Sequence, residues 1–184
     1  MLNAIRTNLN ALEYMIFFWQ SVLDREKVGE DYLAQVAALP EMNILYSGDE
    51  FNAESVRKVL SAITNRERLS DATLTERQFW NNNMWIVEDP EMFGLMIAPI
   101  KSLSPGSLCE RLNAAADISF DSVEIVFIPA FKEEAVFGPG RLYINFFKVM
   151  VDMIMGTGDV TIGSMSLEDF IEAKILEMDG VKLK

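Results

Sequence analysis

The chain has 184 residues, of which half are hydrophobic and 24% are charged, a balance typical of a folded protein with one sizeable core. Its formal net charge of −12 disfavours nucleic acid and anionic membrane surfaces as partners, because both are negatively charged themselves. With no histidine and one cysteine, the sequence excludes histidine-dependent hydrolases, histidine zinc sites, four-thiolate zinc sites and iron–sulfur clusters.

The cysteine content and the apolar segments together predict a cytoplasmic protein. The single cysteine, Cys109, has no second cysteine with which to form an internal disulfide, which favours a reducing compartment. The apolar run Tyr14–Trp19 is short and no signal-peptide cleavage pattern follows it. The longest apolar segment is interrupted by Lys148 and Asp152, so we expect no membrane span.

The first half of the chain reads as a series of helices. Apolar residues recur every three or four positions from Ile5 to Leu23, the spacing of an amphipathic helix. Asn52 and Thr73 or Thr75 are suitable N-cap residues before two later periodic segments. Helices are therefore predicted from Ile5 to near Val28, from Glu30 to Leu39, after Asn52, and from Thr73 to Trp80.

The second half mixes predicted strands with helices. Met84–Glu88 and Met92–Ile100 are rich in strand-compatible residues around Asp89-Pro90-Glu91, which predicts a β-hairpin at about 84–100. An apolar run predicts a central strand at about 123–130, and a short strand is expected at about 159–162. Further helices are predicted over Leu108–Ala115, over Leu142–Met155 and after the N-cap Ser166. The fold class is therefore α+β: one domain over 1–184, with amphipathic helices packed on a small mixed or antiparallel sheet.

Two aromatic segments are candidate protein-binding surfaces. The first is apolar around its whole helix, and the second places aromatic rings beside the amides of Asn81–Asn83. Aromatic residues are enriched at the centres of protein interfaces, although for any one of these rings a place in the core is the better explanation. The candidate interface residues are Tyr14, Phe17, Phe18, Trp19, Phe79, Trp80 and Trp85.

Carboxylates offer the main alternative chemistry. Asp117 and Asp121 precede the predicted central strand and Asp159 lies in a second loop, so they are candidate ligands for a divalent cation such as magnesium. Ordinary turn and cap positions explain the same residues. The basic cluster Arg57, Lys58, Arg66, Arg68 and Arg77 is interleaved with acidic residues and is interpreted as a solvated helix face.

The sequence thus predicts a non-enzymatic, acidic, cytoplasmic protein-binding module of the inhibitor, immunity, secretion-chaperone or adaptor type. We expect a protein partner with a basic surface, and a homodimer through the Tyr14–Trp19 segment is a second possibility. No cofactor, nucleic acid or membrane is expected to bind. The alternative is a small enzyme that uses carboxylates and a divalent cation.

Overall fold

The computed structural model describes residues 1–153 and 158–180, and its architecture is α+β. The chain divides into two compact units. The helical unit comprises Leu9–Glu91 and Ile128–Lys132, and the mixed unit comprises Met1–Asn8, Met92–Phe127 and Glu133–Lys184.

The helical unit contains a 3-10 helix over Pro40–Leu45 and four α-helices: α1 (Asn10–Leu23), α2 (Glu30–Ala37), α3 (Ala53–Asn65) and α4 (Leu74–Glu88). Helix α1 packs against α2 and α4, and α3 packs against α2 and α4. Burial of residues such as Leu12, Phe18, Leu33, Val59 and Phe79 forms the core of this unit.

Side-chain caps fix where α3 and α4 begin. The Asn52 side chain accepts hydrogen bonds from the backbone N–H groups of Glu54 and Ser55, and Ser55 Oγ accepts one from the Asn52 N–H. Thr73 and Glu76 make the same reciprocal arrangement at the start of α4. Each cap satisfies backbone donors that the first turn of a helix leaves without partners, which confirms both predicted starts.

The mixed unit holds a sheet of four strands: β1 (Ala4–Asn8), β2 (Ser122–Ile128), β3 (Ala135–Gly138) and β4 (Arg141–Asn145). Their order in the sheet is β1-β2-β4-β3. Strand β1 pairs in parallel with β2, and β3 pairs antiparallel with β4 across the turn at Pro139-Gly140. Strand β2 lies between two neighbours, as predicted for the central strand, and most of its residues are buried.

A small antiparallel sheet, three α-helices and a 3-10 helix also belong to the described part of this unit. They are α5 (Pro90–Lys101), α6 (Pro105–Ala115), the 3-10 helix (Phe146–Lys148), β5 (Met150–Val151), β6 (Val160–Ile162), β7 (Met165–Ser166) and α7 (Leu167–Met178). The small sheet has the order β5-β6-β7, and β6 confirms the short strand predicted at about 159–162. Ser166 accepts a hydrogen bond from the backbone N–H of Asp169 and so caps the last helix, also as predicted.

The β-hairpin predicted at 84–100 is wrong, because both of its arms are helical. Helix α4 continues to Glu88, and Phe79, Asn83 and Ile86 are buried at helical spacing. Pro90 is the first residue of α5, where its fixed φ suits a helix start as well as a turn. The buried residues of α5 also follow the spacing of one helix face: Phe93, Met96, Ile97 and Ile100.

Two other predicted helices need correction. Ile5 lies in β1, opposite Val123 of β2, so the first helix begins only at Asn10, and it ends at Leu23 rather than near Val28. The segment predicted as a buried helix from Leu142 forms β4, a 3-10 helix and β5, while residues 154 and 155 lie outside the described residues. Leu142 and Ile144 are buried in the sheet instead, which explains the apolar character of the segment.

Candidate functional site

The structure divides the predicted interface residues by exposure. Phe18, Trp19 and Phe79 are fully buried. Tyr14, Trp80 and Trp85 are half-buried, and Phe17 is 55% exposed. The exposed and half-buried rings are therefore available to a partner, whereas the three buried rings stabilise the fold.

A buried hydrogen bond explains why Trp19 and Asn83 of α4 belong to the core. The Trp19 indole N–H donates to Asn83 Oδ1 at 2.8 Å, and both residues have no exposed surface. The Asn83 amide in turn donates to the backbone carbonyl of Phe79 at 2.8 Å. The polar atoms of a buried side chain need such partners, so this amide links α1 to α4 rather than contacting solvent.

Three aromatic side chains form a surface on α1 and α2, which we name the aromatic face: Tyr14, Phe17 and Tyr32. The ring centroids of Phe17 and Tyr32 are 4.9 Å apart, and those of Tyr14 and Tyr32 are 5.5 Å apart and stacked. The Tyr32 hydroxyl donates a hydrogen bond to the Tyr14 carbonyl at 2.8 Å. Burial, with a smaller contribution from Tyr14, raises the pKa of Tyr32 to about 12. Tyr32 thus lies between Tyr14 and the more exposed Phe17.

The helices that carry the aromatic face are acidic. Between them α1 and α2 contain Glu13, Glu30 and Asp31 and no lysine or arginine. Glu13 lies one turn before Phe17 on α1, and Asp24, which caps the helix, accepts a hydrogen bond from Gln20. Residues four apart on a helix share a side, so Glu13 places one negative charge beside Phe17.

A cavity of about 470 Å³ lies among α1, α3 and α4, and we name it the Trp80 cleft. Its apolar wall includes Leu23, Ile63, Trp80, Met84 and Val87. Four charged side chains also line it: Arg25, Arg66, Glu67 and Glu88. Sequence reasoning singled out Trp80 but missed Arg25, because the two are brought together only by the packing of α1 on α4.

The basic cluster of the sequence separates into paired and unpaired side chains. Arg57 contacts Glu54 at 3.0 Å and Glu30 at 3.8 Å, and Lys58 Nζ lies 2.9 Å from Glu76 Oε2. Within the described part of the chain, Arg66, Arg68 and Arg77 form no ion pair, and they are exposed. The interpretation as a solvated face therefore fits Arg57 and Lys58 less well than the other three residues.

Glu76 is an almost fully buried carboxylate in this region. Burial by itself raises the pKa of Glu76, but hydrogen bonds from Lys58, the Thr73 backbone and Ser55, together with the Lys58 charge, outweigh it. The net result is a pKa below the ordinary value. This carboxylate is therefore ionised and serves the start of α4, a structural role.

The candidate metal ligands are not assembled into a site. Asp117, Asp121 and Asp159 are exposed, and Asp117 lies 3.7 Å from the amino terminus of Met1. Asp159 lines a cavity of about 440 Å³ that Asp152 and Glu168 also line. Among residues 1–153 and 158–180, no group of three or more acidic or cysteine side chains could hold a metal ion.

Two further groups in the mixed unit have structural roles. Arg111 on α6 forms ion pairs with three carboxylates of α7, at 2.8, 2.8 and 2.6 Å from Glu168, Asp169 and Glu172. The Cys109 thiol donates to the Leu2 carbonyl at 3.2 Å. These contacts link α6 to α7 and to the start of the chain, and they leave neither group poised for chemistry.

Comparison with known proteins identifies no relative. No family model matches the chain, and neither a curated protein nor a solved structure matches it. No described helix is both long and apolar enough to cross a membrane.

Proposed function

We propose that the protein is a non-enzymatic, acidic protein-binding module of the inhibitor, immunity, secretion-chaperone or adaptor type. Its partner is a protein with a basic surface, and the partner docks on the aromatic face. The observation that carries this proposal is Phe17, a large apolar side chain that is 55% exposed beside Tyr32, which in turn stacks on Tyr14.

The chemistry of the aromatic face supports a protein partner. Aromatic side chains dominate the energetically important centres of protein interfaces, because they bury a large area with few rotatable bonds. The Tyr32 hydroxyl is already bonded to the Tyr14 carbonyl, so little side-chain ordering remains to oppose binding.

Charge supports a basic partner. Glu13 and Asp31 add to a protein-wide net charge of −12, and neither α1 nor α2 contains a lysine or arginine, while Glu30 contacts Arg57 of α3 at 3.8 Å. Complementary charge accelerates association, and salt screens it within about 8 Å at physiological ionic strength. Association with the partner should therefore slow as salt rises.

We further propose that the protein works in the cytoplasm, where it meets its partner. The free thiol of Cys109 supports a reducing compartment. A homodimer through the Tyr14–Trp19 segment is the second arrangement that we propose. Light scattering at micromolar concentration tests it, since a monomer would contradict the homodimer.

Site-specific photo-crosslinking tests the proposed surface. The photoreactive residue benzoylphenylalanine replaces Phe17 in one variant and Leu74, which is 80% exposed, in a control variant. In an extract of the native cytosol, we expect a discrete crosslinked protein with a basic surface from position 17 and not from position 74. Crosslinking that is equal at both positions would contradict the proposal, because it would show no preference for the aromatic face.

A further inference from the structure

The Trp80 cleft has features that the protein-binding proposal leaves unused. None of its lining residues belongs to the aromatic face. Its volume of about 470 Å³ falls within the range of roughly 300–1,000 Å³ that is usual for small-molecule sites, and its wall is mostly apolar. The cleft is thus large enough for a small organic molecule.

Two arginines of the cleft have an unusual backbone conformation. Arg25 follows α1 with φ of 60°, and Arg66 follows α3 with φ of 57°, both in the left-handed region. In each case the next residue, Glu26 or Glu67, donates its N–H to a carbonyl of the last helical turn, at 2.8 Å. Glycine normally occupies this position after a helix, because a side chain there is strained.

An arginine in this strained conformation therefore follows each of two helices, and both arginines line one cavity. Stability of the helix ends would favour glycine at both positions, so helix termination does not account for arginine there. Strained residues concentrate at functional sites, where the side chain is needed for something other than folding. The strain points to a role for both guanidinium groups in the cleft.

The surroundings of Trp80 are locally positive. A second cavity, of about 370 Å³, shares Trp80 and is lined by Arg68 and Arg77 without an acidic residue. The Trp80 cleft itself is lined by two arginines and two glutamates, and the two cavities together by four arginines and two glutamates, although the whole protein carries a net charge of −12. The structure describes no ion pair for Arg25 or Arg66, so both guanidinium groups keep free hydrogen-bond donors.

Trp80 adds an unsatisfied polar atom. Its indole N–H is buried and has no hydrogen-bond partner among the residues that the structure describes. Most buried polar groups in proteins are hydrogen-bonded, so this donor is an exception.

We propose that the Trp80 cleft binds a small organic anion that has an apolar body, the chemistry of a medium-chain or aryl carboxylate. The apolar wall of Leu23, Ile63 and Met84 takes the body of the ligand. Arg25 and Arg66 bind the carboxylate, because a guanidinium group pairs with a carboxylate through two parallel hydrogen bonds.

Calorimetric titration with three eight-carbon probes tests the proposal. Octanoate, octan-1-ol and octylammonium have apolar chains of seven, eight and eight carbons and differ in charge. We expect octanoate to bind at least tenfold more tightly than octanol, and octylammonium to bind more weakly than both. The proposal is overturned if octanol binds as tightly as octanoate, or if octanoate does not bind.

Paired arginine variants separate binding from folding. In Arg25→Gln/Arg66→Gln we expect at least a tenfold loss of octanoate affinity, while Arg6→Gln/Lys132→Gln, which removes two charges that do not line the cleft, should retain it. In Arg25→Gly/Arg66→Gly we expect the same loss of affinity with an unchanged or higher melting temperature, because glycine relieves the strain. Retained affinity in the glutamine and glycine variants would overturn the proposal.

Discussion

Replacing Asn83 by leucine tests the buried polar contact between α1 and α4. Asn83 Oδ1 accepts the Trp19 indole N–H at 2.8 Å, and neither residue is exposed. Leucine has a similar size but no acceptor, and removing one partner of a buried hydrogen bond costs about 1–3 kcal/mol. We expect a loss of about 2 kcal/mol, which for a chain of this length lowers the melting temperature by roughly 4–8 °C.

Urea unfolding followed by circular dichroism measures this loss without relying on tryptophan fluorescence. Asn81→Leu is the matched control, because Asn81 lies on the same helix and is exposed. Its stability should stay within about 0.5 kcal/mol of the original, as is usual for surface substitutions. If Asn83→Leu is no less stable than Asn81→Leu, the buried contact is not a stabilising one and the reasoning is refuted.

Three further stability predictions follow from the caps of α3 and α4 and from the division of the chain into two units. Folding lowers the pKa of Glu76 from its ordinary value of 4.5. The ionised carboxylate therefore stabilises the folded protein above pH 4.5, and this stabilisation is lost as the pH falls through the pKa that Glu76 has in the folded state. When the unfolding free energy is measured at decreasing pH, it should therefore fall less steeply below pH 4.5 for Glu76→Gln than for the original protein. Parallel curves for the two proteins would contradict the pKa shift. Asn52→Ala should cost about 1 kcal/mol in urea unfolding, because it removes the cap of α3, and an unchanged midpoint would refute that role. Because each unit consists of separate chain segments, we expect calorimetry to show one cooperative transition, as the predicted single domain requires; two resolved transitions would contradict it.

Residues close together in the sequence were enough to predict most of the helices that begin at a capping residue and the strand that contains a long apolar run. Asn52, Thr73 and Ser166 begin helices as their side chains suggest, because an N-cap acts on backbone groups two or three residues away. The central strand is buried on both sides, and such burial requires apolar side chains on both faces of the strand. These apolar side chains made the strand recognisable in the sequence.

Elements that depend on distant partners were mispredicted. Ile5 fits the helical spacing of the residues after it, but its segment pairs with β2 more than 110 positions away, as the register Ile5–Val123 shows. Pro90 suits the second position of a turn and the first position of a helix equally well, so the residue alone did not decide between a hairpin and α5.

The candidate site was only partly visible in the sequence. Phe17 and Trp80 were singled out, but Phe18 and Trp19 next to Phe17 are buried, because a helix turns neighbouring residues to different sides. The Trp80 cleft depends on three helices and on two left-handed arginines. The one local signal was the dipeptide Arg-Glu that follows both α1 and α3 closely, at Arg25-Glu26 and Arg66-Glu67.

The most direct test of the proposed function is the affinity of the crosslinked partner, once purified, for two alanine variants. Loss of a central aromatic contact typically costs about 2 kcal/mol or more, so Phe17→Ala should raise the dissociation constant about 30-fold. Leu74→Ala, which removes a large side chain that is 80% exposed and outside the aromatic face, should leave it unchanged. Equal affinities of the two variants for the partner would contradict the claim that the aromatic face is the binding surface.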